Sequence, residues 1–167
     1  MEKNIYKCEL KDFQGKLSKM GLLSQTIPVF SVSYDDTKIR LSIKNKVKEV
    51  YYSQIKKGYI WLSTGVMPLG TNQNIVYQID LHLIIGCEEI ILEFTHYRSL
   101  LQLIEILRSK NIIVEDKMGL SNIVRGSENL EKREEIIKYF DNNIDLLENK
   151  YGKIERNRLK NKYVGRF

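Results

Sequence analysis

The sequence predicts an α+β protein: a curled antiparallel β-sheet or barrel of about six or seven strands, capped by a helix and followed by a C-terminal helical extension. Three observations predict it. From Ile27 onward, short runs alternate apolar and polar residues between turn residues, the period of half-buried strands. At "EEIILEFTHYRSLLQLIEILRSKN", Glu88 to Asn111, that period gives way to helical spacing without a break. After Gly126, apolar residues return at heptad spacing.

Taken in order, Tyr6, Cys8 and Leu10 alternate with Lys7, Glu9 and Lys11 as a first strand, and 12–26 reads as loop. "PVFSVSYDDTKIRLSIKNKVKEVYY" reads as strand, turn, strand, turn, strand. Asp35-Asp36-Thr37 makes the first turn, because Asp bonds its own backbone locally. Ile39, Leu41 and Ile43 then face inward, opposite Lys38, Arg40, Ser42 and Lys44. "GYIWL" places Ile60 and Leu62 on one face and Tyr59 and Trp61 on the other. "STGVMPLGTNQN", with two Gly, a Pro and three Asn or Gln, reads as a loop. "IVYQIDLHLII" sets Ile75, Tyr77, Ile79, Leu81, Leu83 and Ile85 against Gln78, Asp80 and His82, and "IILEF" follows a turn at 86–89.

Tyr97, Leu100, Leu101, Ile104 and Leu107 then form one apolar helical stripe, with Thr95 as N-cap and Asn111 as a left-handed terminator. A single stripe must lie against something, and the nearest apolar surface is the sheet just built. Residues 112–126 read as a linker. The second helix carries Leu130, Ile137, Phe140, Ile144, Leu147, Tyr151 and Ile154, with acids at its start and bases at its end, as the helix dipole favours. Gly152 interrupts it. The organisation is thus 1–111 sheet and capping helix, 112–126 linker, and 127–167 helical extension with a basic tail.

The chain of 167 residues, 43% hydrophobic and 29% charged, suits one core plus an appendage. No window is apolar enough to span a bilayer, and the N-terminus lacks the apolar core of a secretory signal, so the cytoplasm is expected. Cys8 and Cys87 read as two free, buried, reduced thiols. With His82 and His96 they lack the short spacing of a zinc site, so no metal is expected. The net charge of +6 sits wholly in the last eighteen residues, where Lys150, Lys153, Arg156, Arg158, Lys160, Lys162 and Arg166 oppose Glu155 alone.

The strand-rich layout closed by one amphipathic helix resembles pleckstrin-homology-like (PH-like) domains. "VYYSQIKKGYIWL" and "IILEFTHYRSLLQLIEIL" are similar to a strand-to-strand step and to the final strand and capping helix of the bacterial members. The likeness covers roughly 27–110. It implies a PH-like β-barrel and a scaffold for a protein or peptide partner, taken at a sheet edge or in the groove beside the helix. The family's phosphoinositide site uses a basic first hairpin. Here that loop reads "SYDDTK", whose aspartates would repel phosphate, so lipid binding is not carried across.

The sequence holds no P-loop, no His-Glu-x-x-His and no Gly-x-Ser-x-Gly. Asp80 and His82 share a strand face, but with no nucleophile beside them they read as polar residues on a solvated sheet face. His96 reads as a surface residue, and Glu88 and Glu89 as a solvated pair in a turn. Tyr51, Tyr52, Tyr59 and Trp61 could stack on bases, or simply be strand residues. No catalytic residue and no cofactor is expected. The binding candidates are Tyr59, Trp61 and the seven tail cations, which would meet nucleic acid phosphates or an anionic membrane, or else stand as a solvated helix end. The stripe over 130–154 docks on its own domain or pairs with a second copy. The expected function is a non-enzymatic PH-like binding or adaptor module, with a nucleic-acid-associated protein as the alternative.

Overall fold

In the computed structural model the residues described are 2–9, 29–43, 46–69, 72–94 and 97–154. They form eight strands: β1 (Glu2–Glu9), β2 (Val29–Tyr34), β3 (Lys38–Ile43), β4 (Lys46–Tyr51), β5 (Ile55–Leu69), β6 (Asn72–Ile85), β7 (Glu88–Phe94) and β8 (Val114–Glu115). The helices are α1 (Tyr97–Ser109), α2 (Leu120–Ile123) and α3 (Leu130–Tyr151). Neighbouring strands run in the order β4-β3-β2-β1-β7-β6-β5-β8. The molecule is α+β, as the alternation requires. Two antiparallel meanders, β2–β4 and β5–β7, stand either side of β1.

Two expectations about the sheet are corrected. It is not antiparallel throughout: β1 runs parallel to both β2 and β7, and β8 parallel to β5. Parallel neighbours need a long connection between them, and residues 10–28, the two meanders and α1 each supply one. Nor does the sheet close, because among the described residues no pairing joins the end strands β4 and β8. The expected loop at 12–26, the cap at Thr95 and the position of His96 lie outside the described residues.

The expected loop at 63–74 belongs instead to a long hairpin, in which β5 and β6 stay in register out to Leu69 opposite Asn72. Two Gly, Pro68 and the Asn-rich end made that stretch read as loop. The Gly58 N–H bonds the Ile113 carbonyl beside β8, so even-numbered β5 residues turn their peptide groups away from β6. The missing N–H of Pro68 therefore falls on the outer edge and costs no ladder bond.

The Asp35-Asp36-Thr37 turn forms as expected. The Asp35 carboxylate accepts from the Thr37 N–H at 2.8 Å, the Thr37 hydroxyl at 2.7 Å and the Lys38 N–H at 3.0 Å. Those Thr37 bonds, with Arg40 alongside, pull its pKa down to about 2. The β6–β7 turn is tighter than expected. Ile85 pairs with Glu88, leaving only Gly86 and Cys87 between, and Gly86 takes a positive φ of 59°. Cys87 is exposed there as a free thiol, not buried, while the Cys8 side chain lies outside the described residues.

One core runs through the molecule. Ile39, Leu41 and Val50 of the first meander join Ile60, Leu62, Ile79, Leu81, Leu83, Ile90, Leu92 and Phe94 of the second. The α1 helix lies over them with Tyr97, Leu100, Leu103, Ile104 and Leu107 buried, each contributing about 1.5–3 kcal/mol. Leu101, expected on that stripe, is only half-buried, and Leu103 takes its place. Asn111 ends α1 at φ 60°. The Ile112 N–H reaches back to the Leu107 carbonyl and the Asn111 N–H to that of Arg108, which satisfies carbonyls the helix end leaves open.

The stretch 112–126 is more than a linker. Ile112, Val114, Met118, Leu120 and Val124 are all buried in the same core, and Asp116 holds the start of α2 through bonds to the Leu120 and Ser121 N–H groups. Asn129 caps α3 by accepting from Glu131 N–H at 2.8 Å. Ile136, Phe140 and Leu147 of α3 are buried, with Ile144 and Tyr151 packed at the margin. Phe140 meets the Tyr77 ring at 5.1 Å, and the Tyr77 hydroxyl donates to Asp141. The heptad stripe thus docks on its own domain. Its first members do not: Leu130 is 77% exposed and Ile137 also faces solvent. Gly152 ends α3, and Ile154 then returns to the core, fully buried. No helix among the described residues is long and apolar enough to cross a membrane.

Candidate functional site

Two places bring chemistry-bearing side chains together. The first is the face of β5–β7 that points away from the α1 core. Register sets Trp61, Asp80 and Glu93 in one row across the three strands, with Tyr59 opposite His82 in the next and Ser63 opposite Gln78. Alternation made this the wet face. It is dry: Asp80, His82, Glu89 and Glu93 are each 5% exposed or less, as are Ser63 and Gln78. Glu89, expected in a solvated turn, is the second residue of β7.

Burial of so many polar groups demands partners, and the strands supply those of His82, Glu89 and Asp80. His82 Nδ1 lies 2.8 Å from Glu89 Oε1, and the Tyr59 hydroxyl donates to the same oxygen. The Tyr59 and His82 rings stack at 4.3 Å, 17° from parallel. Ser63 Oγ donates to Asp80 Oδ1 at 3.1 Å. Gln78 Oε1, by contrast, is buried with no hydrogen-bond partner. Tyr59, His82 and Glu89 form a chain able to pass or share a proton, but it lies within the sheet. No group of three or more His, Cys, Asp or Glu among the described residues is placed to hold a metal ion.

The second place is an open groove of about 350 Å³ between the end of β2 and the outer side of α1. Gln102, Glu105, Ile106 and Ser109 line it from one helical stripe, and Tyr34 forms the facing wall. Tyr34 is 46% exposed and Ile106 half-buried, so an aromatic and an aliphatic surface both meet solvent there. Nearby, Lys110 Nζ comes within 3.6 Å of Asp36 and stands over the Tyr52 ring at 5.8 Å. Neither Tyr34 nor the outer stripe of α1 was picked out from sequence. The signal in the sequence is Ile106, an apolar residue on the polar side of an amphipathic helix.

The sequence-predicted binding residues fall elsewhere. Tyr59 and Trp61 are half-buried on the polar sheet face, with Tyr59 engaged by ring and hydroxyl alike. Tyr52 is buried and Tyr51 exposed at the β4 edge, so the four aromatics do not share a surface. Lys150 and Lys153 are exposed around the end of α3, with the Lys150 ammonium 4.9 Å from the Tyr151 ring centre. Arg156, Arg158, Lys160, Lys162 and Arg166 lie outside the described residues.

The first hairpin spends its cations internally. Lys38 Nζ sits 2.7 Å and Arg40 Nε 3.0 Å from Glu49 Oε1, and Arg40 also reaches Asp35 at 2.9 Å. The Glu49 bond holds both cations above their usual pKa, and Lys38 in turn holds Glu49 below its own. No protein-family model, no curated protein and no solved structure matches this chain.

Proposed function

We propose that this chain is a non-enzymatic binding module of PH-like architecture, and that its partner is a protein or peptide seated in the Tyr34–α1 groove. The observation that carries the reading is the groove itself: an exposed aromatic wall facing a helical stripe with a half-buried isoleucine, and a carboxylate, Glu105, beside them. Such a surface suits a short segment with an apolar anchor and a neighbouring cation. Support also comes from the acid–base groups, which are used in joining strands β5, β6 and β7 and are closed from solvent.

The test is selection of peptides from a displayed random library on the full chain, followed by affinity measurement by fluorescence polarisation. Ile106→Arg is expected to weaken selected peptides by at least about tenfold, since it places a charge at the apolar anchor. Tyr34→Ala should weaken them less. Equal binding to Ile106→Arg would sink the groove as the site.

The alternative, contact with nucleic acid phosphates through the basic tail, draws on the exposed Lys150 and Lys153. It predicts DNA or RNA binding that falls steeply with salt and disappears on deleting 150–167. Binding unchanged by that deletion rejects it.

A further inference from the structure

We propose that a second copy of this chain pairs along the outer edge of β6, centred on Ile75, joining two molecules into one continuous sheet. This goes beyond the groove reading and does not rest on it. Strand β7 pairs with β6 only from Ile79 to Ile85, so over Asn72–Gln78 the described residues give β6 one partner, β5. The Tyr77 carbonyl accepts from the Tyr97 hydroxyl at 2.9 Å, which turns odd-numbered β6 residues outward. The peptide groups of Gln73 and Ile75 therefore face the edge. Among the described residues no strand pairs with this edge at Gln73 and Ile75, and such an edge is a template for another strand.

Charge separates this edge from the other candidate. Among the described residues strand β4 is also paired on one side only, by β3. The Tyr52 N–H bonds Thr37, so Val47, Glu49 and Tyr51 turn their peptide groups outward. A two-fold pairing centred on Glu49 sets that carboxylate against its own copy, one centred on Val47 sets Lys46 against Lys48 of the copy, and Gln54 already takes the Tyr51 N–H at 3.3 Å. That is a defended edge. On β6, no charged residue occurs from Gly58 to Ile79, although 29% of the chain is charged. Two-fold pairing centred on Ile75 brings no like charges together, and it covers a side chain that is now 60% exposed. The companion strand β5 carries Pro68 on its own outer edge, which blunts that side. The β6 side has no such residue.

Sedimentation velocity on the full chain across a concentration series tests this. A reversible dimer is expected. Ile75→Lys should raise its dissociation constant by at least about tenfold, by setting two cations face to face. Gln73→Pro, which removes an outward N–H, should do the same, with circular dichroism unchanged in both variants. Amide exchange at Ile75 should slow as the wild-type concentration rises. A chain that stays monomeric throughout, or a dimer that survives Ile75→Lys, overturns the proposal. So does a dimer lost instead through Leu146→Glu on the exposed flank of α3.

Discussion

The two faces of the β5–β6–β7 sheet come from the same strands and both bury most of their side chains, yet one is hydrocarbon and the other carries acid, imidazole, amide and hydroxyl groups beside Trp61 and Ile91. Beneath α1, each side chain adds its own apolar area, and losses there scale with the volume removed. On the opposite face each group has given up water, and it is tolerated only through a specific neighbour. Removing one member of that face leaves others stranded, so the polar face is more brittle than the apolar one although it contributes less hydrophobic stabilisation. The same strand alternation encodes both.

That comparison can be broken from either side. The largest effect is expected for Glu89→Ala, which strips His82 Nδ1 and the Tyr59 hydroxyl of their shared acceptor inside the protein. A loss of roughly 3–5 kcal/mol in urea unfolding is expected. Glu89→Leu with His82→Leu together should regain part of it, because the imidazole leaves with the carboxylate and only the Tyr59 hydroxyl loses this acceptor. If the double variant is as unstable as the single one, the pair is not what holds that face. Next, Leu81→Ala on the apolar face should cost roughly 3 kcal/mol, within the range for a fully buried leucine. The smallest change is expected at Gln78→Met. Its Oε1 is buried with nothing to bond, so an apolar chain of similar length should alter stability by less than about 1 kcal/mol in either direction. A larger loss would mean that the amide holds part of the polar face together.

Much of the fold was legible from residues near one another. Ile39 and Leu41, Ile60 and Leu62, and the Tyr97–Leu107 stripe all point inward as their spacing requires. Asp35 and Asn111 make the turn and the helix end their chemistry favours. The misreadings share a cause. Pro68 was taken for a breaker because its outward position depends on which neighbour β5 has. Asp80 and His82 were taken for wet because alternation reports polarity, not exposure. Residues 112–126 were taken for a linker because a two-residue strand and one helical turn are too short to show a period. The Tyr34–α1 groove was invisible because its walls, Tyr34 and Ile106, come from elements far apart in the chain.

Local chemistry dictated where strands turn, where α1 and α3 stop and which side of each carries hydrocarbon, because those properties depend on backbone preferences and on residues one to four positions away. Which strands became neighbours, that β1 would run parallel to both of its own, and that a row of carboxylates would lie out of water were decided only when distant segments packed. Such contacts are selected by the free energy of the whole assembled core, which no single stretch of the chain contains.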